Sequence, residues 1–166
     1  MVAFPKMVMH FDIARPKSVK AVENAIKSTG KVFLVAQKDA YVDEPDISDL
    51  YKIGVVAEIR QVLRMPDGIM KILIEGSYRA SITELDIGDD VLKATVKKLP
   101  TYSHTKYDET EAEALIRSIK AMFERYSSFF PKMPKEVMSS VMRQDSPYKL
   151  FEEVVFNTNF SYQDKQ

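Results

Sequence analysis

Up to about Pro100 the apolar residues of this chain mostly keep the period of a strand, and beyond it they keep the period of a helix. The opening stretch "MVAFPKMVMHFDIARP" carries eight apolar residues among its first eleven, without a polar lead-in. Pro5, Lys6, His10 and Asp12 interrupt any core of a secretory leader, so the stretch reads as a buried strand whose upstream partner belongs to a longer parent. One helix follows. Pro16 suits a first helical turn, Val19, Val22 and Ile26 recur at helical spacing, and Gly30 offers a stop. The continuous apolar run Val32 to Ala36 in "KVFLVAQKD" predicts a strand covered on both faces, and "YVDEPDISDL" an acidic loop. Next, Ala57, Ile59 and Leu63 alternate with Glu58, Arg60 and Arg64, the period of a half-exposed strand. Pro66-Asp67-Gly68 supplies the turn of a hairpin, whose return strand carries Met70, Ile72 and Ile74 on one face. Gly76 breaks that strand, "SYRASITEL" begins another, "DIGDD" turns the chain and "VLKATVKKL" makes the last. Short antiparallel strands with turns at such spacing predict a small barrel or sandwich.

After "PTYSHTKYD", Asp108 and Glu111 stand at capping-box spacing, with aspartate in place of the usual serine or threonine. Leu115, Ile119, Met122, Tyr126 and Phe129 follow steps of four and three along one helical stripe, which Ile116, Phe123 and Phe130 widen. Pro131 and Pro134 close this helix and open a second, with Val137, Met138, Val141 and Met142 on one face. Ser146-Pro147 is an N-cap and first-turn pair for a third, carrying Leu150, Phe151, Val154 and Val155. The expected organisation is a β-rich subdomain over residues 1–100 and a helical subdomain over 101–166.

Composition narrows the functions available. With 24 basic against 24 acidic residues, the formal net charge is zero and no global field draws the chain to nucleic acid or to an anionic membrane. The absence of cysteine excludes disulfides, thiol nucleophiles and cysteine zinc sites, in keeping with a reducing compartment. No apolar run approaches the roughly 20 residues that span a bilayer. His10 and His104 are the only histidines and lack metal-site spacing. Asp86, Asp89 and Asp90 read as solvated turn carboxylates, not as a cation loop. Neither a phosphate-binding glycine loop nor a serine nucleophile elbow is present, and among many serines and lysines no specific pair stands out as a dyad.

What is abundant is methionine and aromatic side chain. "AMFERYSSFFPKMPKEVMSSVM" concentrates both, and a helical tail of this size has difficulty burying them all. Most are expected in a helical core, part of the stripe facing the barrel and part free as an adaptable apolar surface.

Four stretches, in this order and spacing, carry a resemblance: "AFPKMVMHFDIARPKSVKAVENAI", "KVFLVAQKD", "DLYKIGVVAEIRQVLRMPDGIMKILIEGSYRASI" and "EALIRSIKAMFERYSSFFPKMPKEVMSSV". With Arg15-Pro16, Gln37-Lys38, Gly54, Gly76 and Arg79 in place, nearly the whole chain resembles the amino-terminal domain of the ATP-dependent Lon protease family. The resemblance implies an α+β fold: a PUA-like β pseudo-barrel of about six strands with one inserted helix, then a small α-helical subdomain leading toward an AAA+ module. It implies a chain excised from a parent whose opening strand precedes Val2, whose edge strand is thereby left open to pairing with another copy, and whose ATP- and Mg-dependent ATPase and Ser-Lys protease lie elsewhere. The resemblance implies no cofactor and no catalytic residue within this portion. The implied role is binding unfolded or damaged polypeptides and assisting assembly of a hexamer in the cytoplasm of a bacterium, or in a mitochondrial matrix, with weak capture amplified by the several copies of the ring. The candidate contact residues, expected to be exposed, are Phe4, Met7 and Met9 beside the open edge and Phe129, Phe130 and Met133 at the end of the first helix of the tail. A purely structural oligomerisation scaffold stands as an alternative. An RNA-binding role, raised by the PUA-like relation, is opposed by zero net charge and the acidic "DEPDISD".

Overall fold

The computed structural model describes residues 2–88, 91–100 and 108–166. Asp89 and Asp90 of the "DIGDD" turn and candidate cation loop, His104, and most of "PTYSHTKYD" lie outside the described residues. The chain divides into two compact units, Met1–Thr101 with Gln166, and Tyr102–Lys165. The fold class is α+β.

The first unit holds an antiparallel sheet of five strands among the described residues: β1 (Val8–Ile13), β2 (Lys31–Leu34), β3 (Ile53–Arg64), β4 (Met70–Ile87) and β5 (Leu92–Lys98). The order is β1-β4-β3-β2, with β5 also paired to β4. β4 is therefore the spine. Along one edge it pairs with β3 from Met70 to Ser81, and along the other first with β1 at Met70 to Glu75, then with β5 at Ala80 to Ile87. The β3–β4 connection is the hairpin expected at Pro66-Asp67-Gly68: Gly68 has φ 83°, its N–H donates to the Met65 carbonyl, and the Asp67 carboxylate accepts from the Ile69 N–H.

Gly76 does not break the strand. β4 runs through it for 18 residues, which leaves five strands where about six were expected. The glycine admits a close backbone neighbour, because a Cβ at this position would stand 2.1 Å from the Phe4 carbonyl oxygen. In the gap between β1 and β5, the Phe4–Met7 turn docks on it: the Lys6 N–H donates to the Gly76 carbonyl at 2.7 Å, and the Gly76 N–H donates to the Met7 carbonyl at 2.9 Å. Lys6 takes a left-handed conformation to make this turn, with φ 64°.

Met9, Val22, Ala57, Met70, Ile72 and Ile74 form the core of this unit, with Met7, Phe11, Ile13, Val32, Leu34, Ile59 and Val62 packed around them. The helix α1 (Pro16–Lys27) buries Val22 and Ala25 and leaves Ile26 exposed, so the helix is rotated relative to the expected Val19-Val22-Ile26 face. Its end is closed as expected by Gly30, at φ 68°, whose N–H reaches back to the Ala25 carbonyl. Two strand expectations also change. β2 is an edge strand, half-buried rather than covered on both faces. In β3 a bulge between Ile59 and Gln61 inserts Arg60, so that Val62 turns inward and Leu63 is exposed. On the outer face, Glu58 and Glu75 stand directly opposite each other, and the Arg60 guanidinium joins them at 3.1 and 2.8 Å.

The acidic loop is ordered by its own acids. Gln37 and Leu50 form a bridge that closes it, and Arg15 donates to the Gln37 side chain at 2.8 Å. The Asp46 carboxylate accepts from the N–H groups of Ser48 and Asp49, while Asp49 accepts from the Asp46 N–H, a reciprocal cap on a short 3₁₀ turn at Ile47–Asp49.

The second unit contains α2 (Glu109–Ser128), α3 (Lys135–Met142), α4 (Pro147–Asn157) and the short α5 (Tyr162–Lys165). Asp108 caps α2, accepting from the N–H groups of Thr110 and Glu111. Pro147 opens α4 as expected, but the Ser146 side chain makes no capping bond. Phe123, Val141 and Leu150 are the buried centre of this unit.

Gly76→Ala is expected to lower stability by about 3 kcal/mol, because the new methyl meets backbone rather than a movable side chain; thermal and urea unfolding read it directly. The hydrogen bonds from Ser48 hold the Asp46 carboxyl below its ordinary value. Its folded value being depressed, the cap is fully present above the unfolded aspartate value and is lost as pH falls through the folded one. The Ser48 and Asp49 amide resonances are expected to titrate together, with a midpoint below that of an unstructured aspartate.

Candidate functional site

The apolar candidates at the start of the chain are structural. Phe4 is 1% exposed and Met9 4% exposed, and Met7 is half-buried against the core. This corrects the expectation that the three are exposed beside the strand edge. For Met9 the reason is the pleat of β1, where Met9, Phe11 and Ile13 project inward and Val8, His10 and Asp12 outward; Phe4 precedes β1 and is carried inward by the turn that docks on Gly76. That alternation is visible in the sequence once the stretch is counted as a strand. Among the described residues no group of His, Cys, Asp and Glu is arranged to hold a metal ion, and no helix is long and apolar enough to cross a membrane.

On α2 the broad apolar stripe separates into two. Ile116, Ile119, Phe123 and Tyr126 face the core of their own unit, together with Val137, Met138 and Met142 of α3 and Leu150 and Val154 of α4. Leu115, Met122 and Phe129, at intervals of seven, stand in solvent, with Phe129 79% exposed. The periodicity that joins all eight residues in sequence does not say where the buried sector ends.

The end of α2 carries two exposed aromatic side chains, Phe129 and Phe130. Phe130 leans on Tyr126 with ring centroids 4.7 Å apart, and Tyr126 in turn stacks near Phe123 at 6.0 Å. The Tyr126 hydroxyl accepts from the Asn159 N–H at 2.9 Å, which ties the segment after α4 to this corner. Phe130 is thus held on one side and open on the other, Phe129 projects free, and the Met133 N–H donates to the Phe130 carbonyl. Met133 is half-buried against the core cluster, a correction to its expected exposure. Phe151, Phe156 and Phe160 are exposed as well. Phe151 is expected on the α4 face with Leu150, but Leu150 alone of that pair goes inward. With seven large apolar side chains among the described residues of this unit open to solvent, the arrangement offers apolar contact.

The model of the ATP-dependent protease La (LON) substrate-binding domain matches residues 1–166. The Lon protease of Syntrophomonas wolfei subsp. wolfei is 37% identical over the whole of this chain, and that of Escherichia coli (strain K12) 36% identical. The chain spans about a fifth of the length of these curated relatives, 20% and 21%. The N-terminal domain of a Mycobacterium avium complex Lon protease shares its fold at a TM-score of 0.64 and 20% identity, over 99% of this chain and 88% of that one. A Lon N-terminal domain protein of Xanthomonas campestris does so at 0.54 and 12%, over 93% and 92%. The chain belongs to the Lon substrate-binding domain family, the non-catalytic amino-terminal portion of these proteases.

The division of α2 into a buried and an open stripe separates two substitutions of the same kind. Phe123→Ala is expected to cost about 3–5 kcal/mol of unfolding free energy, as for a buried aromatic. Phe129→Ala is expected to change it by less than about 0.5 kcal/mol. Urea denaturation of the two variants checks the difference.

Proposed function

We propose that this domain captures unfolded or damaged polypeptides for an ATP-dependent Lon protease of the bacterial cytoplasm, and that it contributes to assembly of the parent hexamer. ATP hydrolysis, with its Mg, and peptide cleavage by a serine and lysine dyad then fall to the remainder of the parent. The observation that carries the capture reading is the free Phe129 ring, 79% exposed on a helix end whose neighbouring Phe130 is braced by Tyr126. Exposing such a side chain forgoes its burial, roughly 1.5–3 kcal/mol, a cost that contact with an extended apolar segment recovers. Unfolded chains display such segments and folded ones conceal them, so an apolar corner discriminates between the two without reading a sequence. Phe129 and Phe130 make the contact, while Met133 supports the turn from beneath. Phe4, Met7 and Met9 act through the core and not by touching the substrate. One corner binds weakly, and several copies in one ring raise the effective affinity.

Titrating the labelled chain with a chemically unfolded protein, and separately with its folded form, tests this by chemical shift. Shifts confined to the unfolded ligand and centred on Phe129 and Phe130, lost in Phe129→Ser/Phe130→Ser, are expected. Absence of shifts at millimolar ligand would remove direct capture and leave the scaffold role.

A further inference from the structure

The outward stripe of α2 continues toward the helix N-terminus, away from the Phe129 corner, and there it has an internal symmetry. Seven exposed residues, Glu111, Ala114, Leu115, Ser118, Ala121, Met122 and Arg125, lie within about 60° of the direction of Ser118 at 3.6 residues per turn. Three of the intervals are equal and opposite about Ser118: Glu111 and Arg125 at seven residues, Ala114 and Met122 at four, Leu115 and Ala121 at three. Leu115 and Met122 occupy one flank of this face, and Ala114 and Ala121 the other. Neither the Glu111 carboxylate nor the Arg125 guanidinium has an ion-pair partner among the described residues; the α2 pairs are Arg117 with Glu113 and Lys120 with Asp145.

We propose that α2 pairs antiparallel with α2 of a second copy of this chain, about a two-fold axis at Ser118. Such an axis places each Glu111 opposite the other copy's Arg125, joining opposite charges at both ends of the contact. It sets each Leu115 beside the other copy's Met122, and each Ala114 beside the other's Ala121. The alanine flanks let the axes approach within the usual 8–10 Å, and the leucine–methionine flanks bury the apolar surface. A parallel pairing lacks this match, since it brings Glu111 to Glu111 and Arg125 to Arg125. The surface is thus self-complementary in the sense a two-fold dimer requires. Phe129 lies eleven residues from Ser118, past the start of the second copy's helix at Glu109, nine residues away, and so outside the helix-to-helix contact. Contact over about four helical turns buries less than the roughly 800 Å² per partner of a standard interface, so the pairing is weak and gains from several copies held in one assembly. It deepens the assembly part of the proposed function and is independent of polypeptide capture.

The chain has no cysteine, so a single introduced thiol reports on the geometry. In Ser118→Cys, two thiols meet on the axis within disulfide reach; in Glu113→Cys, an exposed position of the same helix, they point away. Ser118→Cys is expected to form a covalent dimer about tenfold faster under mild oxidation. In sedimentation equilibrium of the 166-residue chain, Glu111→Arg or Arg125→Glu is expected to weaken dimerisation about tenfold, and the double exchange to restore it. Equal cross-linking rates at positions 118 and 113, or a double exchange as weak as either single one, would overturn the pairing. Capture is read separately by the Phe129→Ser/Phe130→Ser variant, so loss of either property leaves the other measurable.

Discussion

The β-rich unit rests on one backbone-to-backbone approach, where the turn at Phe4–Met7 seats itself on Gly76 in the middle of β4. β4 has β3 along one edge and two successive partners, β1 and β5, along the other. Between these partners its polar groups would be left open, and the turn supplies the missing donor and acceptor through Lys6 and Met7. The same contact drops the Phe4 side chain into the interior and starts β1 in the register that sends Met9 to Ile74. A single residue without a side chain therefore sets strand pairing, core composition and the path of the first segment together. The left-handed backbone at Lys6 is the local strain that this arrangement sustains.

The helical unit solves a different problem. Its described elements are four helices around three fully buried side chains, and its supply of apolar residues exceeds what so small an interior accepts. The surplus is sorted by helix rotation, not scattered. Ile116, Ile119, Phe123 and Tyr126 close the core, and Leu115, Met122 and Phe129 are left on the adjacent stripe. Because Tyr126 is fixed by the Asn159 backbone and by the rings of Phe123 and Phe130, the exposed corner is held by packed structure. A rigid support beneath an exposed ring lowers the entropy lost when the ring meets a partner. Exposure here is a property of the fold, and it connects this domain's small core to a binding role.

Much of this was legible before any coordinates. The change from strand to helix period near Pro100, the hairpin at Pro66-Asp67-Gly68, the helix opened by Pro16 and closed by Gly30, and the helix starts at Asp108 and Pro147 are local signals, each read within a few residues. The family likewise showed in the ordered motifs. The absence of reactive constellations was equally plain, because a cysteine-free chain with two histidines offers few routes to chemistry. The candidate contact residues divided by location: Phe129 and Phe130 are exposed, whereas Phe4, Met7, Met9 and Met133 pack inward.

By itself the sequence determined the periods, the turns, the helix ends and the apolar surplus, since these depend on residues near one another along the chain. Tertiary structure alone decided which apolar residues the surplus comprises. The bulge at Arg60 exchanged the roles of Val62 and Leu63, the rotation of α1 exchanged those of Ala25 and Ile26, and the packing of α2 separated Met122 from Phe123. Gly76 reads as a strand end in sequence, because the Phe4 carbonyl that requires it comes from more than seventy residues away. A period reports which residues share a face, but only the partner that arrives on that face determines which of them meet water.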